Sequence, residues 1–175
     1  YGSSYKAAKY LIGLGHSEIV FIFGKQKSFS SHQKLNGYLD ALRDSGIEKD
    51  ECRIVKGNLS YDGAYRAVSQ LLEEKVRFTA ILGSNDMMAI GAYNALERKG
   101  VRIPEDISIV GFDNIPLLET MNIPLTTVNQ PHAAMGKKAF EVLLGRIDDP
   151  DKPHRDYYFT PSLVERTSVL NLDPQ

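Results

Sequence analysis

The chain has 175 residues, a formal net charge of −1, 42% hydrophobic residues and 25% charged residues. This balance is typical of a soluble globular protein, and it gives no electrostatic reason to expect binding to nucleic acid or to a membrane surface. No apolar run approaches the roughly 20 residues that span a bilayer, and a lone cysteine, Cys52, excludes an intrachain disulfide. We therefore expect a cytoplasmic protein with one domain, or one domain and part of another.

Helix and strand patterns alternate between residues 3 and 114. The strand patterns are short and apolar, as in the five consecutive apolar residues 19–23 before Gly24. Such runs indicate strands that are buried on both faces, as in a parallel sheet. In chain order we predict helix 3–15, strand 18–24, helix 31–46, strand 53–57, helix 61–75, strand 78–84, helix 85–100 and strand 106–114. This order predicts an α/β fold with a doubly wound parallel sheet and right-handed crossovers.

The pattern changes after residue 114. Residues 115–124 form an unusually apolar loop, residues 125–130 predict another strand, and residues 131–147 predict a helix. After a polar turn, the stretches 156–161 and 162–170 predict two closing strands.

The predicted sheet also predicts where a ligand binds. Open parallel sheets bind ligands beyond the carboxyl ends of their strands, which selects the loops 25–31, 58–61, 84–86 and 113–115. Their polar side chains are Ser28, Ser30, Ser31, Asn58, Ser60, Asn85, Asp86, Asp113 and Asn114. Hydroxyls, amides and carboxylates of this kind suit hydrogen bonding to a polyhydroxylated molecule.

Two aspartates are expected to cap helices. Asp62 and Asp86 begin the third and fourth predicted helices, and aspartate is a favoured capping residue. If Asp86 supplies the cap, the side chain of Asn85 stays available to a ligand.

Catalytic groups are sparse. The four histidines, at positions 16, 32, 132 and 154, show no metal-ligand spacing, and neither a nucleophile elbow nor a glycine-rich phosphate loop is present. We therefore expect a binding protein with no metal and no cofactor, and an enzyme is the least favoured interpretation.

Six motifs carry a resemblance to one family. They are YLIGLGHSEIVFIFG (10–24), KLNGYLDAL (34–42), SNDMMAIGAYNAL (84–96), RIPEDISIVGFDN (102–114), PLTTVNQP (124–131) and LVERTSV (163–169). In this order and spacing, from about Tyr1 to Leu170, the chain resembles the LacI/GalR family of bacterial transcription regulators. The resemblance implies a type I periplasmic-binding-protein-like sensor, with two α/β subdomains, three crossover strands and an effector in the cleft between them.

The resemblance also implies a division of the chain. Residues 1–124 correspond to the C-terminal effector-binding subdomain, residues 125–155 to a crossover strand and helix of an incomplete N-terminal subdomain, and residues 156–175 to closing strands and a tail. The family's helix-turn-helix has no counterpart, and the chain begins at Tyr1. We therefore expect upstream sequence in the parent protein, which would bind DNA only through that missing domain.

The resemblance assigns effector contacts residue by residue. They are Ser28, Ser30, Lys34, Leu59, Asn85, Asp113 and Gln130. Asp113 matches the carboxylate that receives sugar hydroxyls, so the implied effector is a sugar or a sugar derivative. Lys34 departs from the family's arginine and cannot reproduce a bidentate fork, and Leu59 replaces a position that is often aromatic.

The resemblance further implies a homodimer. Its predicted interface comprises Ile90, Tyr93, Leu117, Leu118 and Met121. The apolar loop, which also holds Ile115 and Ile123, would otherwise face water, and such patches often mark interfaces.

Two alternatives share this fold. One is a sugar-binding protein of a transport system, which only an upstream signal peptide would distinguish. The other is a catabolite-control regulator that responds to a phosphorylated carrier protein, whose phosphoserine would lie near the position of Glu141. An acidic residue there would repel phosphate, which argues against this alternative.

Overall fold

The computed structural model describes residues 1–120 and 123–173. Its helices are α1 (Gly2–Gly13), α2 (Phe29–Arg43), α3 (Tyr61–Glu73), α4 (Asp86–Arg98), α5 (Leu117–Thr120) and α6 (His132–Asp148), with a 3-10 turn at Glu51–Arg53. Its strands are β1 (Ile19–Phe23), β2 (Ile54–Lys56), β3 (Ala80–Gly83), β4 (Ser108–Asp113), β5 (Thr126–Asn129) and β6 (Ser162–Val164). None of the described helices is both long enough and apolar enough to cross a membrane.

The strands form one sheet in the order β2-β1-β3-β4-β5-β6. All neighbouring pairs are parallel except β5 and β6, which are antiparallel. The predicted α/β fold with a largely parallel sheet is therefore confirmed. Every residue of β1 is buried, which explains why its sequence is an unbroken apolar run rather than an alternating one.

Two hydrophobic cores lie on opposite faces of the sheet. Val20 and Ile22 of β1 point into the core shared with α3 and α4, whereas Phe21 points into the core shared with α1 and α2. The side chains of a strand alternate between faces, so one buried strand contributes to both cores. Both faces are therefore covered by helices, and the loops at the strand ends are the regions available for function.

Each of the two helix pairs, α1–α2 and α3–α4, packs closely at one glycine. A Cβ atom at Gly37 of α2 would collide with the backbone carbonyl of Tyr1, and one at Gly91 of α4 would collide with that of Tyr61. Neither glycine has a positive φ, so the requirement is for close approach and not for backbone freedom.

The prediction that Asp62 caps α3 is wrong. Ser60 is the N-cap residue, and its Oγ accepts a hydrogen bond from the backbone N–H of Gly63 at 3.1 Å. Asp62 lies inside the first turn, where its negative charge still favours the helix N-terminus.

The carboxyl-terminal part differs from the prediction in two ways. Residues 156–161 form no strand, and the closing strand is limited to β6. A strand needs a neighbour for its backbone hydrogen bonds, and the described residues offer none to 156–161. The predicted crossover strand, β5, pairs with β4 in this sheet, and α6, which follows it, has no buried residue.

Candidate functional site

Three predicted effector residues meet at the carboxyl ends of the strands. Gln130, just after β5, donates a hydrogen bond from Nε2 to Oδ1 of Asp113, at the end of β4, at 2.7 Å. Lys34 of α2 lies near this pair, since its Nζ is 3.7 Å from the ring centroid of Phe112, the residue before Asp113. Its charge lowers the pKa of Asp113, as the Gln130 hydrogen bond also does. Burial has the larger effect and raises the pKa of Asp113 above its ordinary value. The group therefore offers a shielded carboxylate beside a cation and an amide.

Lys34 is more than a solvated helix lysine. Its Nζ donates to the backbone carbonyl of Ser84 at 2.8 Å and lies 3.7 Å from the centroid of the Phe112 ring. Burial lowers the pKa of Lys34, and the charges of Asp113 and Asp86 raise it. These contacts fix one end of the side chain among the ends of three elements, α2, β3 and β4.

The backbone at Asp113 is strained. Its φ is +120°, and that of the following Asn114 is +57°. Asparagine and aspartate tolerate the left-handed region near +57°, but a φ of +120° is unusual for any L residue. Conformations of this kind cost about 1–3 kcal/mol and persist at functional sites when the surroundings hold them.

The prediction that Asp86 caps α4 is wrong. Asn85 is the N-cap of α4, and its Oδ1 accepts from the backbone N–H of Met88 at 2.8 Å. Asp86 is fully buried and accepts from the Thr127 hydroxyl at 2.6 Å and the Ile115 N–H at 2.9 Å. The cap occupies Oδ1 of Asn85 and leaves its Nδ2 as a donor, whereas Asp86 is structural.

The N-terminal end of α2 carries two predicted contacts and an exposed aromatic residue that was not among the predicted contacts. Ser28 caps α2 by accepting from the Ser31 N–H at 3.3 Å, and Ser30 is exposed. Phe29 lies between them with 80% of its surface exposed. The signal in the sequence was an aromatic residue between two serines in a strand-end loop.

Leu59 occupies the position where an aromatic residue was expected. It is 39% exposed, adopts a φ of +58° and packs closely against Gly24 at the end of β1. It therefore presents an aliphatic surface at the strand ends, whereas the exposed aromatic ring at this edge of the sheet is that of Phe29, the first residue of α2.

The predicted dimer residues divide into two groups. Ile90 and Leu118 are each 1% exposed and belong to the α3–α4 core, so their prediction as interface residues is wrong. Ile123 is buried as well, at 8% exposed. Tyr93 is half-buried and Leu117 is 38% exposed. Met121 lies outside the described residues.

A separate concavity of about 420 Å³ lies between α6 and the segment that follows it. Its charged lining consists of four cationic side chains and one carboxylate: Lys138, Arg146, Lys152, Arg155 and Glu141. Lys138 binds Glu141 at 2.8 Å and lowers the pKa of that carboxyl. The acidic residue is thus neutralised within a basic surface, and the argument from Glu141 against phosphate binding loses its force.

The chain matches the family model of the periplasmic binding protein-like domain over residues 8–169. It is 44% identical to an HTH-type transcriptional repressor PurR of Vibrio atlanticus (strain LGP32) over 169 residues, which cover 97% of this chain and 51% of that protein. It is 38% identical to the ribose operon repressor of Haemophilus influenzae over 168 residues, covering 96% of this chain and 51% of the repressor. The chain thus spans about half the length of these relatives.

A solved structure agrees with these similarities. The LacI family transcriptional regulator of Enterococcus faecium, solved with bound ribose, superimposes with a TM-score of 0.89 at 31% identity. The match covers 97% of this chain and 63% of that one. The same arrangement of helices and strands therefore holds a ligand in a protein of similar sequence.

Proposed function

We propose that this chain, which belongs to the periplasmic binding protein-like domain family, is the effector-binding region of a LacI/GalR-type regulator. In this role it senses a small molecule on behalf of a longer transcriptional repressor. The observation that carries the proposal is the group formed by Lys34, Asp113 and Gln130 at the strand ends. Ligands bind at this edge of open parallel sheets. The relatives are transcriptional repressors, which are not enzymes.

The proposed effector is a sugar or sugar derivative. A hydroxyl group both donates and accepts, so the Asp113 carboxylate and the Lys34 ammonium can bind neighbouring hydroxyls of one molecule. Phe29 adds an exposed ring on which the apolar face of a sugar can stack. Ribose is the first candidate, because one relative is a ribose operon repressor and one structural neighbour was solved with bound ribose.

The chain supplies one wall of the proposed cleft. We place the second wall in sequence upstream of Tyr1, together with α6 and residues 156–161. The exposed apolar side chains of α6 support this division, since such a surface is normally covered. They are Met135 (39% exposed), Phe140 (61%), Leu143 (57%), Leu144 (45%) and Ile147 (66%). Operator binding belongs, in this proposal, to a helix-turn-helix domain further upstream.

The experiment that tests the proposal uses the full-length parent protein. Free and phosphorylated pentoses and hexoses, ribose first, are titrated calorimetrically, and the affinity for operator DNA is measured with and without each compound. We expect one compound to bind and to change operator affinity. Binding that survives intact in a folded Lys34→Met, Asp113→Ala double variant would place the site elsewhere.

One observation favours a second candidate, a regulator that also answers to a phosphorylated protein. The basic surface around Arg146 and Lys152 has three cationic side chains besides the Lys138–Glu141 ion pair, and such surfaces recognise phosphate groups. A phosphoserine-bearing carrier protein of the host should then bind the wild type and lose affinity for Arg146→Glu. Equal binding to both proteins, or no binding to either, rejects this candidate.

A further inference from the structure

A single arginine joins three segments at the edge of the candidate site. Arg166, which follows β6, donates from Nη2 to Oδ1 of Asn114 at 3.0 Å and from Nη1 to the carbonyl of Leu125 at 2.8 Å. Asn114 lies in the loop between β4 and α5, and Leu125 directly precedes β5. One planar guanidinium therefore bridges the loop after β4 and the start of the next strand.

The partners of this guanidinium are neutral. Both are amide-type oxygens, and within residues 1–120 and 123–173 no carboxylate forms an ion pair with Arg166 at 4.0 Å or less. The backbone of Arg166 is fixed as well, because its N–H donates to the Thr126 hydroxyl at 3.0 Å. Arg166 therefore acts here through the fixed geometry of its guanidinium donors and not through an ion pair.

Asn114 passes this restraint to the loop. Its Nδ2 donates to Oδ1 of Asn129 at 3.1 Å, so its side-chain amide is held on both sides. Asn114 has a φ of +57° and follows Asp113, whose φ is +120°. Two consecutive residues in disfavoured conformations need such external restraints to stay in place.

We propose that Arg166 is a positioning residue of the effector site, which acts through Asn114 to hold the β4–α5 loop and, with it, the Asp113 carboxylate in its place beside Gln130 and near Lys34. The biological meaning of this inference rests on the proposed function, since the position of Asp113 matters to regulation only where an effector binds. Arg166 itself touches neither Lys34 nor Asp113 through any hydrogen bond of the described residues.

The test measures how strongly the charge of Lys34 changes the pKa of Asp113 in the ligand-free 175-residue chain. The carboxyl carbon of Asp113 is followed by NMR during a pH titration, with and without the substitution Lys34→Met. Removing the cation should raise the pKa of Asp113 further, because the positive charge of Lys34 lowers it. In the Arg166→Lys variant, which keeps the charge but loses the fork, this effect should fall by at least half.

Two further variants complete the test. Asn114→Gly removes the linking amide while glycine tolerates the left-handed backbone, and it should reduce the Lys34 effect as Arg166→Lys does. Arg43→Lys, at an exposed arginine that pairs with Asp40, should leave the effect at its wild-type size. If Arg166→Lys does not fold, Asn114→Gly decides the matter alone.

The inference is overturned by either of two results: an undiminished Lys34 effect in folded Arg166→Lys or Asn114→Gly, or no effect of Lys34→Met in the wild type. A merely structural Arg166 would lower the melting temperature and leave the coupling unchanged. The NMR titration uses no effector, so its outcome does not depend on whether the proposed function is correct. Likewise, a negative NMR result does not change the outcome of the effector titrations.

Discussion

Asp113 combines two features that oppose stability. Its carboxylate is partly desolvated, which raises its pKa, and its backbone has a φ of +120°. Lys34 and Gln130 offset part of the cost of the buried charge. Sites that gather unfavourable groups in this way commonly serve binding, at the expense of stability. Substitutions of Asp113 should therefore weaken effector binding without lowering the stability of the fold.

We expect Asp113→Ala to weaken effector binding by about ten- to a hundredfold. Hydrogen bonds to a charged group contribute roughly 1.5–3 kcal/mol, and about 1.4 kcal/mol corresponds to a tenfold change in affinity. Calorimetric titration of the full-length protein measures the change. Asp62→Ala, at an exposed aspartate in the first turn of α3, is the matched control and should bind as the wild type does. Equal affinity of both variants would mean that Asp113 is not the anchor.

The stability of the chain should depend on pH through Asp113 in a defined direction. Its pKa is raised in the folded state, so the folded state binds the proton more tightly and the carboxyl destabilises the fold once it ionises. Asp113→Asn removes that charge and should raise the melting temperature at pH 7. The gain should disappear below pH 3.8, the ordinary pKa, where the wild-type carboxyl is protonated in both states. A gain of equal size at both pH values contradicts this account.

At the scale of elements, the helices are paired by close backbone contact. The α3–α4 pair meets at Gly91, and the α1–α2 pair meets at Gly37. The N-termini of α2, α3 and α4 are capped by Ser28, Ser60 and Asn85. Each cap follows a strand, after β1, β2 and β3 respectively, so these helices begin at the edge of the sheet where the candidate site lies.

Gly91→Ala should destabilise the fold by about 1–3 kcal/mol, the usual cost of overpacking. The new methyl group would meet the backbone carbonyl of Tyr61, which cannot rotate away as a side chain can. Urea unfolding monitored by circular dichroism measures the change. Gly13→Ala provides the contrast, because a Cβ at that helical position meets nothing within 4 Å and should be neutral or stabilising. Similar losses at both glycines would refute the packing argument.

At the scale of the molecule, two surfaces expose apolar side chains that a partner could cover. One is the apolar face of α6, which in our proposal forms part of the second wall of the cleft. The other comprises Tyr93 of α4 and Leu117 of α5, which remain accessible after Ile90 and Leu118 are buried in the core. A dimer through the second surface leaves the first surface free for the rest of the same chain, so the two proposals are compatible.

The chain should self-associate at micromolar concentrations, and Leu117→Glu should make it monomeric. Leu117 is 38% exposed, so a charge there leaves the core intact but opposes burial against a second copy. Light scattering measures the mass, and Leu172→Glu, at a leucine that is 42% exposed elsewhere, should remain dimeric. Ile90→Asp is unsuitable for this purpose, because it would place a charge in the core. A monomeric wild type would contradict the predicted homodimer.

Much of the fold could be predicted from local pattern. The apolar run 19–23 became the fully buried β1, because a strand covered on both faces needs apolar residues at every position. Lys34, Asp113 and Gln130 were predicted from the family resemblance, and Asp113 also from the tendency of ligands to bind beyond the carboxyl ends of parallel strands. The structure places the three residues in one group. The cap of α4 was assigned to Asp86 although Asn85 supplies it, since either residue type can cap a helix and only the fold shows which oxygen faces the N–H.

The sequence by itself determined the order of the elements, the parallel sheet and the edge where polar side chains gather, because these follow from hydrophobic periodicity and turn residues along the chain. Only the tertiary structure decided which side chains are free. Ile90 and Leu118 have the composition of an interface but are 1% exposed, and Arg166 reaches Asn114 across 52 positions of sequence. Burial and long-range hydrogen bonds depend on how elements pack against one another, which no local pattern records.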